Sequence, residues 1–161
     1  MFSEKGGWRT VTPATRGFPW DIASRWRGRD NILRFIRATQ KKFPDMVTLE
    51  DTGKSYEGSP LRIVRVSSPG SMADEEAARR DKLHLMVLGG MHAREWISPM
   101  SVLSLLAEAL KGYGRDAVFT RLLDNCVLHL MPLMNPDGYQ FTFAKTMAGD
   151  EGTKRFNPRL F

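Results

Sequence analysis

The stretch that decides the fold runs Leu83-His84-Leu85-Met86-Val87-Leu88-Gly89-Gly90-Met91-His92-Ala93-Arg94-Glu95-Trp96-Ile97-Ser98-Pro99. Its first six residues are nearly all apolar, the pattern of a central strand covered on both faces of a parallel sheet. Gly89 and Gly90 free the backbone to turn. Ser98 and Pro99 then read as a helix cap and a first-turn proline. Apolar residues at 102, 103, 105, 106, 109 and 110 predict an amphipathic helix ending near Gly112 and Gly114. A second apolar run, 126–133, predicts another strand, and Asn135-Pro136-Asp137-Gly138 after it reads as a turn. Strand, helix, strand in this order is a βαβ unit, which places strands 83–88 and 126–133 parallel in one sheet. The segments after residues 88 and 133 then leave the same carboxyl edge, where open α/β sheets hold their ligand sites.

Upstream, apolar residues Ile32, Leu33, Phe35 and Ile36 recur at helical spacing among basic ones, predicting a helix over 30–42, capped by Asp30 and closed by Pro44. Segments 46–51 and 61–67 read as two strands joined by Thr52-Gly53-Lys54-Ser55-Tyr56-Glu57-Gly58, long enough for a hairpin with a bulge. Residues 69–80 form a polar excursion with a short helical turn expected at 74–80. Residues 1–27, rich in Gly, Pro, Trp and Arg without periodicity, read as an irregular arm ahead of a folded unit over 28–161. The fold class is α/β, a partial mixed β-sheet with flanking helices.

Composition narrows the functional classes. With 161 residues, 42% of them hydrophobic, the chain is long enough to bury one real core. No apolar run approaches the roughly 20 residues of a membrane-spanning helix. Residues 1–11 contain no apolar core of a secretory signal. A single cysteine, Cys126, excludes an intrachain disulfide and cysteine-rich zinc sites, and its apolar neighbours predict a buried thiol. Much of the net charge of +6 lies early, in Arg25, Arg27, Arg29, Arg34, Arg37, Lys41 and Lys42, and no aromatic-interleaved motif or zinc-finger spacing accompanies it. A solvated basic face explains it better than nucleic-acid binding does.

His92 and Glu95 carry the chemistry. An imidazole and a carboxylate spaced i, i+3 at the mouth of a helix can converge on one ion while Ala93 and Arg94 point elsewhere. Position 96 is Trp, so the H-E-x-x-H pattern of thermolysin-like proteases is absent. Spacing alone is weak evidence, since a surface His and Glu near a helix start would look the same. The buried strand, the glycine pair and the following helix raise the odds of a metal pair.

The run Gly89-Gly90-Met91-His92-Ala93-Arg94-Glu95-Trp96-Ile97-Ser98 closely resembles the first zinc motif of the carboxypeptidase A/B family of metallopeptidases. Gly53-Lys54-Ser55-Tyr56-Glu57-Gly58-Ser59-Pro60-Leu61 resembles that family's G-x-S-x-E-G-R-P-hydrophobic segment, and Asn135-Pro136-Asp137-Gly138-Tyr139 its N-P-D-G turn. The three stand in the family's order, and the resemblance spans about residues 28–145. It implies a hydrolase that releases the C-terminal residue of peptides or proteins. It also implies His92 and Glu95 as ligands to one Zn2+, and Arg94 lining the substrate cleft. In such enzymes zinc polarises the scissile carbonyl and acidifies a bound water. A separate glutamate takes the proton, and an arginine steadies the oxyanion. The family's location, secreted or held in granules or vacuoles, is implied on the same footing, and no signal peptide is present in this chain.

The resemblance also shows what the chain lacks. The family's third ligand is a histidine far downstream and its general base a glutamate farther still, beyond Phe161, and no D-x-N-R-N-type segment, which in the family holds the terminal carboxylate, is present in this sequence. His84 and His129 sit inside predicted strands and read as core or face histidines. Arg155 and Arg159 lie near the place of the oxyanion arginine, after an insertion at about 147–153. The sequence is therefore expected to represent the amino-terminal half of a catalytic domain, inactive and marginally stable alone. The alternative is a non-catalytic carboxypeptidase-like binding module.

Overall fold

Val47, Leu49, Val64, Val66, Leu128 and Leu130 fall at alternate positions of their segments, so a sheet that pairs them builds one continuous apolar face. The computed structural model, which describes residues 22–24, 26–71 and 82–147, contains that sheet. Strands β1 (Val47–Lys54) and β2 (Pro60–Val66) form an antiparallel hairpin. Strands β3 (Leu83–Leu88) and β4 (Cys126–Met131) run parallel, and β4 lies antiparallel against β2, giving the order β1-β2-β4-β3. Val47 pairs with Val66, Leu49 with Val64, Val64 with Leu130, Val66 with Leu128, and Val87 with Leu130. The hairpin register slips between Asp51 and Gly53, the bulge its long connection predicts.

Among the described residues, four α-helices accompany the sheet. In α1 (Arg29–Lys42) the stripe Ile32, Phe35, Ile36 and Thr39 is buried against the apolar face. In α2 (Ile97–Gly112), Met100, Val102, Leu103, Leu106, Ala109 and Leu110 join the same core. Fully buried Val or Leu side chains each contribute about 1.5–3 kcal/mol, so this shared face is the main source of cohesion. Helix α3 (Ala117–Asn125) adds Leu123, and α4 (Pro136–Met147) adds Tyr139. The sheet, its parallel βαβ pair and the buried Cys126 agree with the sequence reading. The irregular arm is described only at 22–24, a short 3-10 turn, and from 26 on; the expected turn at 74–80 lies outside the described residues.

Several local expectations are corrected. The position preceding α1 is Gly28, and Asp30 sits inside the first turn, where its carboxylate complements the helix dipole instead of capping. Helix α2 starts at Ile97, so Ser98 is already helical; its hydroxyl accepts a hydrogen bond from the Gly90 N–H, 3.1 Å away. The Asn-Pro-Asp-Gly segment opens a helix instead of closing a turn. Asn135 Oδ1 accepts from the Gly138 N–H at 2.9 Å and Pro136 takes the first helical position. Helix α3 was not expected; Asp116 caps it by accepting from the N–H groups of Val118 and Phe119 at 2.8 and 3.1 Å. Strand β4 stops at Met131, two residues short of the 126–133 run.

The largest correction concerns β3. In the described sheet it is an edge strand, not a central one, and all its side chains but the partly buried Val87 are exposed, Leu83 to 69% and Met86 to 56%. His84, expected inside a buried strand, is exposed as well. Among the described residues no strand pairs with the outer edge of β3.

Candidate metal centre

The carboxyl ends of β3 and β4 are joined by backbone hydrogen bonds that continue past the strands. The Gly89 N–H donates to the Met131 carbonyl at 2.8 Å, the Met134 N–H to Gly89 at 2.9 Å, and the Asn135 N–H to Gly90 at 2.8 Å. Such close approach needs both glycines. A Cβ on Gly89 would stand 2.8 Å from Val102 Cγ2 and 3.1 Å from the carbonyl oxygens of Pro132 and Ser98. Gly90 has φ of +64°, and its Cβ would stand 3.0 Å from the Pro132 oxygen.

The turn that follows carries the predicted site residues. His92, Arg94 and Glu95 are all exposed on it, whereas Ala93 points inward and is 1% exposed. The Glu95 N–H donates to the His92 carbonyl at 3.2 Å, and the Ser98 N–H to Glu95 at 3.0 Å, so the turn runs directly into α2. From below, the Thr142 hydroxyl of α4 donates to the Ala93 carbonyl at 2.9 Å and accepts from Trp96 Nε1 at 3.1 Å. Trp96 meets Trp26 edge-on at 6.0 Å and packs against Tyr139 and Phe143. The Tyr139 hydroxyl donates to the Arg27 carbonyl at 2.7 Å, and burial pushes its pKa up to about 12, so it stays a donor.

The 53–61 segment reaches the same edge through Asp137. Ser55 Oγ donates to Asp137 Oδ1 at 2.7 Å and the Glu57 N–H to Oδ2 at 3.0 Å. Ser55 Oγ also accepts from the Ser59 N–H at 2.9 Å, and Arg29 Nη1 donates to Ser59 Oγ at 2.9 Å. Three sequence motifs distant in the chain are thus tied to one sheet edge. Asp137, Ser55, Thr142 and Trp96, which hold the edge together, were not singled out from sequence. The one available signal was that the N-P-D-G and G-K-S-Y-E-G segments stood out together.

As donors for a metal, His92 and Glu95 are of suitable type: a neutral imidazole and a carboxylate are both zinc ligands. Their number is short of a closed site. Among the described residues no group of three or more His, Cys, Asp and Glu side chains gathers where it could hold an ion. The remaining histidines are engaged elsewhere. His84 Nδ1 and His129 Nε2 lie 2.8 Å apart, within hydrogen-bonding distance of each other. His84 stands four residues before Leu88, about 13 Å back along the strand from the carboxyl edge. Burial, reinforced by the charge of His84 and then Arg65, lowers the pKa of His129. Arg155 and Arg159 lie outside the described residues.

Comparison with known proteins decides the family. Residues 32–158 match the family model of the zinc carboxypeptidases, peptidase M14. The chain belongs to the zinc carboxypeptidase family. It is 31% identical over 121 residues to the inactive metallocarboxypeptidase ECM14 of Saccharomyces cerevisiae, covering 75% of this chain and 27% of that protein. With carboxypeptidase B of Astacus astacus the identity is 32% over 114 residues, 71% of this chain and 34% of the relative. The crystal structure of thrombin activatable fibrinolysis inhibitor superposes with a TM-score of 0.70 and 31% identity, over 84% of this chain and 31% of that one. The chain thus spans about a third of the length of these carboxypeptidase relatives and corresponds to the amino-terminal portion of the family's larger catalytic domain. The partial, unclosed sheet with flanking helices is the carboxypeptidase-like fold in truncated form. No helix among the described residues is long and apolar enough to cross a membrane.

Proposed function

We propose that this chain is the amino-terminal part of a zinc metallocarboxypeptidase acting on the C-terminal peptide bond of peptides or proteins. His92 and Glu95 supply two of the protein ligands to one zinc ion, and Arg94 lines the substrate cleft. The observation that carries this reading is the stitching of Gly89 and Gly90 to Met134 and Asn135, which sets the His92–Glu95 turn on the carboxyl edge of a parallel strand pair.

Zinc, when bound in such a site, polarises a carbonyl and acidifies water. The chain's own residues do the rest of what can be derived. His92 offers a ring nitrogen that must be neutral to ligate. Glu95 brings one negative charge, leaving the cation a net positive centre. Arg94, exposed beside both, presents a planar fork of donors to an incoming carboxylate. The third ligand and the proton-accepting carboxylate must come from beyond the described residues.

A second reading, a carboxypeptidase-like module that binds peptides without hydrolysing them, draws support from the yeast relative, whose name calls it inactive. Two measurements separate the readings. In the protein that contains this chain, release of C-terminal residues from a peptide should stop with a chelator and with His92→Ala or Glu95→Gln. Zinc stoichiometry by elemental analysis should fall from one towards none in the same variants. Hydrolysis and zinc content unaffected by both substitutions would overturn the ligand assignment. Zinc binding without hydrolysis would establish the second reading.

A further inference from the structure

A hollow of about 560 Å³ lies between α1 and the β1–β2 hairpin, lined by Arg37, Gln40, Lys41, Leu49, Asp51 and Arg62. It is within the size range of small-molecule sites. It is built on the sheet edge opposite β3, from elements that carry none of the proposed metal ligands. Arg37, Gln40 and Lys41 share one helix face by their i, i+3, i+4 spacing. Leu49 and Asp51 share one strand face, and Arg62 is the register partner of Asp51 across the hairpin.

The charges in this hollow do not cancel. Asp51 accepts from Arg62 with both oxygens, Oδ1 from Nε at 2.5 Å and Oδ2 from Nη2 at 3.2 Å. That hydrogen bonding, then the nearby charges of Arg62 and Arg37, holds the carboxyl below its usual range. The carboxylate is therefore committed to Arg62. Arg37 and Lys41 make no hydrogen bond or ion pair among the described residues, although they stand one helical turn apart as like charges, a pairing that costs an isolated helix a few tenths of a kcal/mol. Lys41 near the helix end is eased by the dipole, but Arg37 in mid-helix is not. Gln40 adds a neutral amide donor, and Leu49 an apolar wall.

We propose that this hollow binds a small ester of an oxyanion, a phosphate or sulfate group on an apolar stem. The guanidinium fork of Arg37 takes two oxygens, the Lys41 ammonium a third, and the stem lies against Leu49. Asp51 keeps the Arg62 guanidinium oriented at the wall.

Titration of the full chain with phenyl phosphate and phenyl sulfate at constant ionic strength, followed by amide NMR shifts, tests this. Shifts should concentrate on residues 37–41, 49–51 and 62. Arg37→Gln and Lys41→Gln should each weaken binding about tenfold, the loss of one charge-assisted contact. Arg37→Lys, which keeps the charge but loses the fork, should weaken it nearly as much. Arg121→Gln, a loss of equal charge on an exposed part of α3, should change it less than about twofold. A phosphate monoester gains its second charge near pH 6, so its affinity should rise between about pH 5 and 7 while the sulfate's stays level. That contrast tells the two groups apart. Equal losses in all four variants, or binding no tighter than that of chloride, would overturn the proposal. Neither outcome bears on zinc, whose ligands lie at the other sheet edge.

Discussion

Asp137→Ala should loosen the 53–61 segment from the sheet edge without disturbing the turn that carries His92 and Glu95. The Asp137 side chain is nearly buried, 6% exposed, and accepts one hydrogen bond from the Ser55 hydroxyl and one from the Glu57 N–H. Hydrogen bonds to a charged group contribute about 1.5–3 kcal/mol each. Glu57 is exposed, so water can replace its lost acceptor and return part of that. The Ser55 hydroxyl is half-buried and still accepts from Ser59, so its own proton is left without a protein acceptor. Asp137 also sits in the first turn of α4, where a negative charge adds about 0.3–1 kcal/mol. The net expectation is a loss of about 2–4 kcal/mol, with Asp137→Asn losing less because its amide oxygen can still accept one bond.

Amide hydrogen exchange is the sensitive assay, because it reads the segment without needing a single cooperative melt. Since about 1.4 kcal/mol is a factor of ten, exchange at Glu57 and Ser59 should accelerate by roughly 30- to several-hundred-fold in Asp137→Ala. Exchange at Gly89, Met134 and Asn135, whose bonds do not involve Asp137, should stay within a small factor. Ser55→Ala combined with Asp137→Ala should lose less than the two single changes summed, as befits two partners of one bond, with the added loss confined to the Ser59 N–H that donates to Ser55 Oγ. Unchanged exchange at Glu57 and Ser59, or equal acceleration at Gly89 and Asn135, would refute the latch and with it the account of how the three motifs are joined.

Gly90→Ala should cost about 1–2 kcal/mol for its left-handed backbone, and more for the 3.0 Å approach to the Pro132 oxygen, read as a lowered Tm. A wild-type Tm in that variant would show that the glycine pair is not needed there. Stability should also fall as the solution is acidified. The His129 pKa is lowered in the folded chain by burial, then by His84 and Arg65, with Glu50 opposing. Below the unfolded value near 6.5 the unfolded chain gains a proton that the folded one resists, so stability drops until the pH passes the folded pKa. Thermal melts from about pH 7.5 to 5 should show this loss, and His129→Gln should flatten it; a slope unchanged by that substitution would count against the histidine as its source. The open apolar edge of β3 should make the isolated chain marginal and prone to associate. Leu83→Lys should delay light-scattering growth on warming, and a sharp, reversible monomeric transition of the unmodified chain would contradict this expectation.

The parts of this fold that could be read from sequence are those written with a short period. Alternation in 46–51 and 61–67 and the helical stripe of α1 depend on neighbours two to four positions apart, and all were found close to their places. The same residue chemistry misled where it serves two local structures. Asn and Pro favour a turn because of their hydrogen bonding and fixed φ, and for the same reasons they favour the first positions of a helix. The residue types of 135–138 suit either; the bond of the Asn135 N–H to the Gly90 carbonyl and the burial of Tyr139 choose the helix. Strand β3 misled differently. An apolar run reports the surroundings a strand is selected to have, and its neighbours here leave one edge and much of both faces open. That mismatch is physical information about size. A strand composed for two covered faces, in a chain about a third as long as its carboxypeptidase relatives, has the composition of a larger sheet than the one described. The candidate pair His92 and Glu95 follows the same logic. His92 and Glu95 could be singled out as a candidate pair because they stand three residues apart, within one turn of backbone. Asp137 was not, since it joins partners 80 and 82 residues away and long-range bonds leave no period in the sequence. A further donor for the candidate pair, if joined to it by contacts as long-range as those of Asp137, would be invisible to any local rule, so direct metal-binding measurement is the test and not closer reading of local spacing.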